Sequence, residues 1–222
     1  MLKGLCWLSL FLLFVYVNAS CAPVSSPQTG VPPTTPGANE PGSSGQEVVY
    51  QADWSSDFNG WSGDDSWKVL RGMLLNDGTE NPARISVPFK PGERGLSDYA
   101  VEAEIQVVGK FNVSGDRSFR MILRSGYWVG IDWHSAFGNR ASIAVACPCK
   151  FSGDNEIAVT TFEGDSDWHT YRAEVYRNEI RLLVDGREIV KAIDNRYLEG
   201  GEIELWSANM QISVQSFKVI KL

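Results

Sequence analysis

The chain has 222 residues, 43 % hydrophobic and 21 % charged, which suits a folded protein of one large domain or two small ones. A formal net charge of −7 and an isoelectric point near 4.9 leave no basic excess to neutralise phosphates. Nucleic acid and an anionic lipid surface are therefore excluded as main partners. Four Cys and two His are too few for a disulfide scaffold or a multi-metal protein, while 21 Gly and eight Trp suit a turn-rich all-β domain or a surface that stacks on ligands.

Residues 1–20 read as an export signal. Lys3 gives a positive start, residues 5–17 form an apolar run broken only by Ser9, and the small residues Ala19 and Ser20 follow. The run is short for a membrane span, which needs about 20 apolar residues. Cys21, directly after Ala19-Ser20, resembles the lipobox Cys of bacterial lipoproteins, which becomes the lipidated N-terminus. Ordinary cleavage after Ala19, giving a secreted protein, is the other reading. Both put the chain outside the cytoplasm, and contact with a membrane is expected only through that lipid.

Residues 22–46 read as a linker. They hold six Pro, four Gly, four Ser and three Thr, with Glu40 as the sole charge. Such a stretch buries too little apolar surface to offset its ordering entropy, and its Pro content favours an extended stalk.

From residue 47 to 222 the pattern changes to alternation of apolar and polar residues, punctuated by turns. Tyr99, Val101, Ala103, Ile105 and Val107 fall on one side of a strand, and Glu102, Glu104 and Gln106 on the other. Strands are predicted at 67–70, 73–75, 83–89, 118–124, 127–133, 140–146, 157–161, 201–206 and 210–218. Tyr171-Ala173-Val175 marks another, and Asp185-Gly186 joins a hairpin between Ile180-Leu182-Val184 and Arg187–Val190. Ser125-Gly126 is read as the turn of a second hairpin. About a dozen short strands without a sizeable amphipathic helix predict an all-β, antiparallel two-sheet sandwich.

The landmarks carry a resemblance. Asp57-Phe58-Asn59-Gly60-Trp61 is followed by Trp67-Lys68-Val69, then by Leu96-Ser97-Asp98-Tyr99, Phe119-Arg120-Met121-Ile122-Leu123-Arg124 and Tyr127-Trp128-Val129-Gly130-Ile131-Asp132. Trp168-His169-Thr170-Tyr171 and Gly200-Gly201-Glu202-Ile203-Glu204 close the series. The order is similar to the concanavalin A-like lectin/glucanase jelly roll, in the branch of laminin-G-like and 3-keto-disaccharide-hydrolase-like domains. The hydrolase-like members usually show a Gly-Tyr-Glu-x-Gln-Ile-x-Asp strand. Here Trp128 stands where the acid would be and Gly130 where the Gln would be.

Two chemistries follow from the residues and the resemblance. Laminarinase-like relatives carry three acids at alternate strand positions. Glu202 and Glu204 supply two of three, as do Glu102 and Glu104, and residues i and i+2 lie about 6.5 Å apart along a strand, near what a carboxylate pair needs. The polar face of an amphipathic strand predicts the same alternation. The other chemistry is recognition, because sugar rings stack on Trp while their hydroxyls bond to charged side chains. Trp128, Asp132 and His134 share a strand face, Arg120 and Arg124 share a face of the neighbouring strand, and Arg140 follows. These six are the candidate ligand-binding residues, with exposed cross-strand ion pairs as the plain alternative.

Two smaller readings remain. Cys147-Pro148-Cys149 is expected as a local disulfide or as free thiols. Asp53, Asp57 and Asn59, with Asp64 and Asp65, read either as turn-formers or as oxygen ligands of the structural Ca²⁺ that such modules often hold; no other cofactor is expected. The sequence thus predicts an exported, non-catalytic carbohydrate-binding or adhesion module whose partner is a glycan or polysaccharide. The alternatives are a glycoside hydrolase or lyase and a structural envelope domain. Oligomeric state stays open.

Overall fold

A computed structural model describes residues 46–78, 82–110, 117–134, 138–145 and 155–222, with the side chains of Lys110 and His134 excepted. The expected signal, Cys21, the expected linker up to residue 45, and the Cys147/Cys149 pair lie outside the described residues.

Among the described residues the regular structure is fifteen strands, with a 3-10 turn at Gly92–Arg94. The strands are β1 (Val48–Gln51), β2 (Ser62–Gly63), β3 (Trp67–Leu70), β4 (Met73–Asn76), β5 (Ala83–Ser86), β6 (Tyr99–Lys110), β7 (Arg117–Leu123) and β8 (Tyr127–His134). They continue with β9 (Gly138–Val145), β10 (Glu156–Thr161), β11 (Trp168–Tyr176), β12 (Glu179–Val184), β13 (Arg187–Ile193), β14 (Glu204–Ala208) and β15 (Met210–Lys221). An eight-stranded sheet runs β13-β12-β11-β6-β15-β4-β3, with β1 also on β15, and a seven-stranded sheet runs β10-β9-β8-β7-β14-β5-β2. The pairings are antiparallel. The expected β-sandwich is the observed fold.

Alternation explains the packing. Val101, Ala103 and Ile105 of β6 and Tyr171, Ala173 and Val175 of β11 point inward from the eight-stranded sheet, while Phe119, Met121, Val129, Ile131, Ala141 and Ile143 point inward from the other. Phe119 and Tyr171 meet edge to face across the layers, 5.0 Å between centroids. Each such fully buried large side chain contributes roughly 1.5–3 kcal/mol relative to leaving it exposed.

Three differences from the sequence reading have local causes. The short strands β1 and β2 lack a readable alternating run, and their partners make them strands. β14 begins at Glu204 rather than 201 because the Glu202 backbone is bound elsewhere. Its N–H donates to Ser125 Oγ (2.8 Å) and its carbonyl accepts from the Ser125 N–H (3.2 Å). The β7–β8 turn sits one residue earlier than expected. Arg124 (φ 51°) and Ser125 (φ 54°) are its two left-handed residues, closed by the Gly126 N–H donating to the Leu123 carbonyl at 3.0 Å. Gly126 serves a different need, since a Cβ there would stand 2.4 Å from the Tyr197 ring.

Candidate functional site

The outer face of the seven-stranded sheet is ordered by register. One row runs Glu204, Ile122, Trp128, Ala144, and the next runs Arg84, Trp206, Arg120, Gly130, Ser142. A third holds Ser118, Asp132 and Arg140. This brings Arg120, Trp128, Asp132 and Arg140 onto one face, as the alternation predicted.

Their side chains form a buried ionic knot. The Arg120 guanidinium donates from Nη2 to both Asp132 oxygens, at 2.5 and 2.6 Å, and from Nη1 to Ser142 Oγ at 2.5 Å. Ser142 Oγ in turn donates to Asp132 Oδ2 at 2.9 Å. Arg140 extends the knot, with Nε 3.8 Å from Asp132 and Nη2 2.8 Å from Glu156. Arg120 is 8 % and Asp132 4 % exposed, so the expected surface pair is desolvated. Burial lowers the pKa of Arg120, and the carboxylates of Asp132 and Glu156 work against that shift.

Gly130 makes the crossing possible. It lies between Arg120 and Ser142 in register. A Cβ there would meet the Phe119 carbonyl oxygen at 2.0 Å and the Arg120 Cα at 2.9 Å. The position where the resembling family has Gln requires glycine here, because the strands approach too closely for a side chain.

Beside the knot, Trp128 and Trp206 approach to 5.4 Å between ring centroids at 50°. Their strands, β8 and β14, flank β7 and so lie about 10 Å apart. The indoles therefore lean towards each other above β7, which carries Arg120 and Ile122 (1 % exposed) on that face. Both indoles stay half-buried. Trp206 was absent from the candidate binding residues, although its alternation with Glu204 was the signal that places it on this face.

The other candidates are dispersed. Arg124 leaves this face for one end of the sandwich and does not join Arg120. Its guanidinium donates to the carbonyls of Ser97 (2.6 Å), Arg177 (2.8 Å) and Tyr197 (3.0 Å), and to Asp98 Oδ1 (3.2 Å). That side chain is fully buried and clasps segments from both sheets together. The left-handed turn at Arg124 starts its side chain towards that end. The side chain of His134 falls outside the described residues.

The acids are also separated. Glu204 pairs with Arg84 on the seven-stranded sheet, whereas Glu202, before β14, lies 3.1 Å from Lys90. Glu102 and Glu104 stand on the outer face of the eight-stranded sheet. Lys218 (3.0 Å) and Arg172 (3.1 Å) hold Glu102, and Gln215 donates to Glu104 at 3.1 Å. Burial pushes the Glu102 carboxyl up, but its two cations bring it below the ordinary value.

Near the domain start, Asp53 accepts from the Ser55 N–H (3.0 Å) and Asp57 from the Asn59 N–H (2.8 Å), so both close local turns. Asn59 is left-handed, at φ 47°. Among the described residues no group of three or more His, Cys, Asp or Glu is placed to hold a metal ion.

No protein-family model matches the sequence. No curated protein matches it either. Solved structures do match in shape. The carbohydrate-binding module CBM66 from Bacillus subtilis superposes with a TM-score of 0.54 at 13 % identity, over 73 % of this chain and 96 % of that one. An endo-β-1,3-glucanase from Pyrococcus furiosus gives 0.56 at 13 % identity, covering 79 % and 94 %. A protein of unknown function with a galectin-like fold, also from Bacillus subtilis, gives 0.60 at 10 % identity, covering 80 % and 97 %. At these identities the likeness concerns the fold.

Proposed function

We propose that residues 47–222 are a non-catalytic carbohydrate-binding or adhesion module, exported and held at a membrane by a lipid on Cys21. The observation that carries the binding reading is the Trp128–Trp206 pair on the outer face of the seven-stranded sheet, bordered by fixed polar groups. Indole faces stack on the C–H faces of sugar rings, and a rigid polar border selects among hydroxyl patterns. The fold neighbours named as a carbohydrate-binding module and as a glucanase support a sugar-related role.

The acids favour binding over turnover. Glu204 is engaged by Arg84 and Glu202 by Lys90, while Glu102 and Glu104 sit on the opposite sheet. Glu102 is itself held by Arg172 and Lys218, and Glu104 accepts from Gln215.

The test is a glycan array followed by calorimetry. Trp206→Ala should weaken any hit tenfold or more while the melting transition stays cooperative, as for a central aromatic contact. Undiminished binding by Trp206→Ala and Trp128→Ala would refute this site. Release of reducing sugar from any bound polysaccharide would overturn the non-catalytic reading.

A further inference from the structure

We infer that this face takes neutral glycans and discriminates against acidic ones, because among the described residues each guanidinium that strand parity puts on it, Arg84, Arg120 and Arg140, is already held by a carboxylate of the same face. The inference rests on the glycan reading above and adds the substrate class. The cations are Arg84, Arg120 and Arg140, and the acids are Glu204, Asp132 and Glu156. Among the described residues of this face they form three pairs.

A uronate, sulfate or sialate is bound by guanidinium forks that can turn to it. Arg120 cannot turn, since it is 8 % exposed and grips both oxygens of Asp132 at 2.5 and 2.6 Å. Arg140 is shared between Glu156 at 2.8 Å and Asp132 at 3.8 Å. Its Nε, buried without a hydrogen-bond acceptor, faces Asp132 across that longer gap. Arg84 is more open, with 54 % of its side chain exposed, but Glu204 beneath it is 11 % exposed and closely paired. An anionic sugar would have to displace a carboxylate that would then stay in place, buried and uncompensated. A neutral sugar stacks on the indoles without disturbing any pair. The net charge of −7 adds long-range repulsion of polyanions.

The experiment uses the full exported chain and calorimetry at low salt. Neutral hexasaccharides of glucose, xylose, mannose and galactose are compared with hexasaccharides of galacturonate, mannuronate and guluronate. Neutral ligands should bind at least tenfold more tightly, with both classes abolished by Trp206→Ala. Glu204→Gln frees the half-exposed Arg84, so it should raise affinity for the acidic set severalfold, in a salt-sensitive manner, and narrow the preference for neutral over acidic ligands. Circular dichroism checks that this variant folds, and Asp132→Asn serves as a second release of charge. Acidic ligands binding as well as neutral ones, still dependent on Trp206, would overturn the selectivity and leave the glycan reading standing. Neither class binding would overturn the glycan reading itself.

Discussion

The two outer faces of this sandwich use the same residue types to opposite ends. On the eight-stranded sheet a ladder of ion pairs crosses five strands, through Lys218, Glu102, Arg172, Glu174, Arg181, Glu179 and Lys191, with contacts of 2.5 to 3.2 Å. Most of its members keep some water contact, and each charge has two neighbours of opposite sign or ends the chain. On the seven-stranded sheet the ions are gathered into a knot around Asp132, 4 % exposed, beside two indoles. Alternation assigns a residue to an outward face. Whether that face is wet is decided by what the neighbouring strands set beside it.

Removing one acid from each face gives the widest separation. Asp132→Ala leaves Arg120 buried without its counter-ion, and should cost about 3–5 kcal/mol in urea unfolding. Glu102→Gln on the ladder should cost about 1 kcal/mol or less, because Arg172 retains Glu174 and Lys218 keeps access to water. The Glu102 effect should also shrink in 1 M salt, and the Asp132 effect should not. Equal costs would erase the contrast between the faces.

Gly130→Ala sharpens it next. A methyl group placed 2.0 Å from the Phe119 carbonyl forces β7 and β8 apart, with an expected loss of about 1–3 kcal/mol. It should also weaken ligand binding by disturbing the Arg120 crossing, so a melt and a titration on the same variant read both effects.

The smallest effect is in pH. The folded pKa of Glu102 lies below its ordinary 4.5, so its contribution is present above that value and lost as pH falls through the folded one. The stability gap between the wild type and Glu102→Gln should therefore close in acid. His169 behaves in the opposite sense. Burial lowers its pKa, but Asp185 (2.7 Å) and Asp165 (2.8 Å), one at each ring nitrogen, raise it above 6.5. Its contribution is complete below 6.5 and fades as pH climbs through the raised value, so His169→Gln should narrow the difference in Tm between pH 6 and pH 9.

The strands were legible wherever alternation ran for four residues or more, as in Tyr99–Lys110, because two-sided packing writes itself into every second position. β2, only Ser62–Gly63, carries no such record. The site was half legible. Arg120, Trp128, Asp132 and Arg140 were placed together by strand parity. Arg124 obeyed the same parity up to the turn, where its positive φ carried it to the end of the sandwich. Trp206 shares the parity of Glu204, which alone puts it on this face. That Arg120 is buried could not be read either, since Asp132 and Ser142 reach it only through the pairing of three strands.

The first described strand has a mechanical meaning. Among the described residues β1 is four residues long and pairs with β15 alone, while Gln46 just before it accepts from Arg172 at 3.0 Å. Tyr50 is its rivet. The phenol oxygen accepts from the Trp61 indole at 2.8 Å, and the ring lies 5.6 Å from Phe89 and 6.4 Å from Phe217. Load applied at Gln46 therefore bears on the β1–β15 pairing and, through Arg172, on the ionic ladder of the larger sheet.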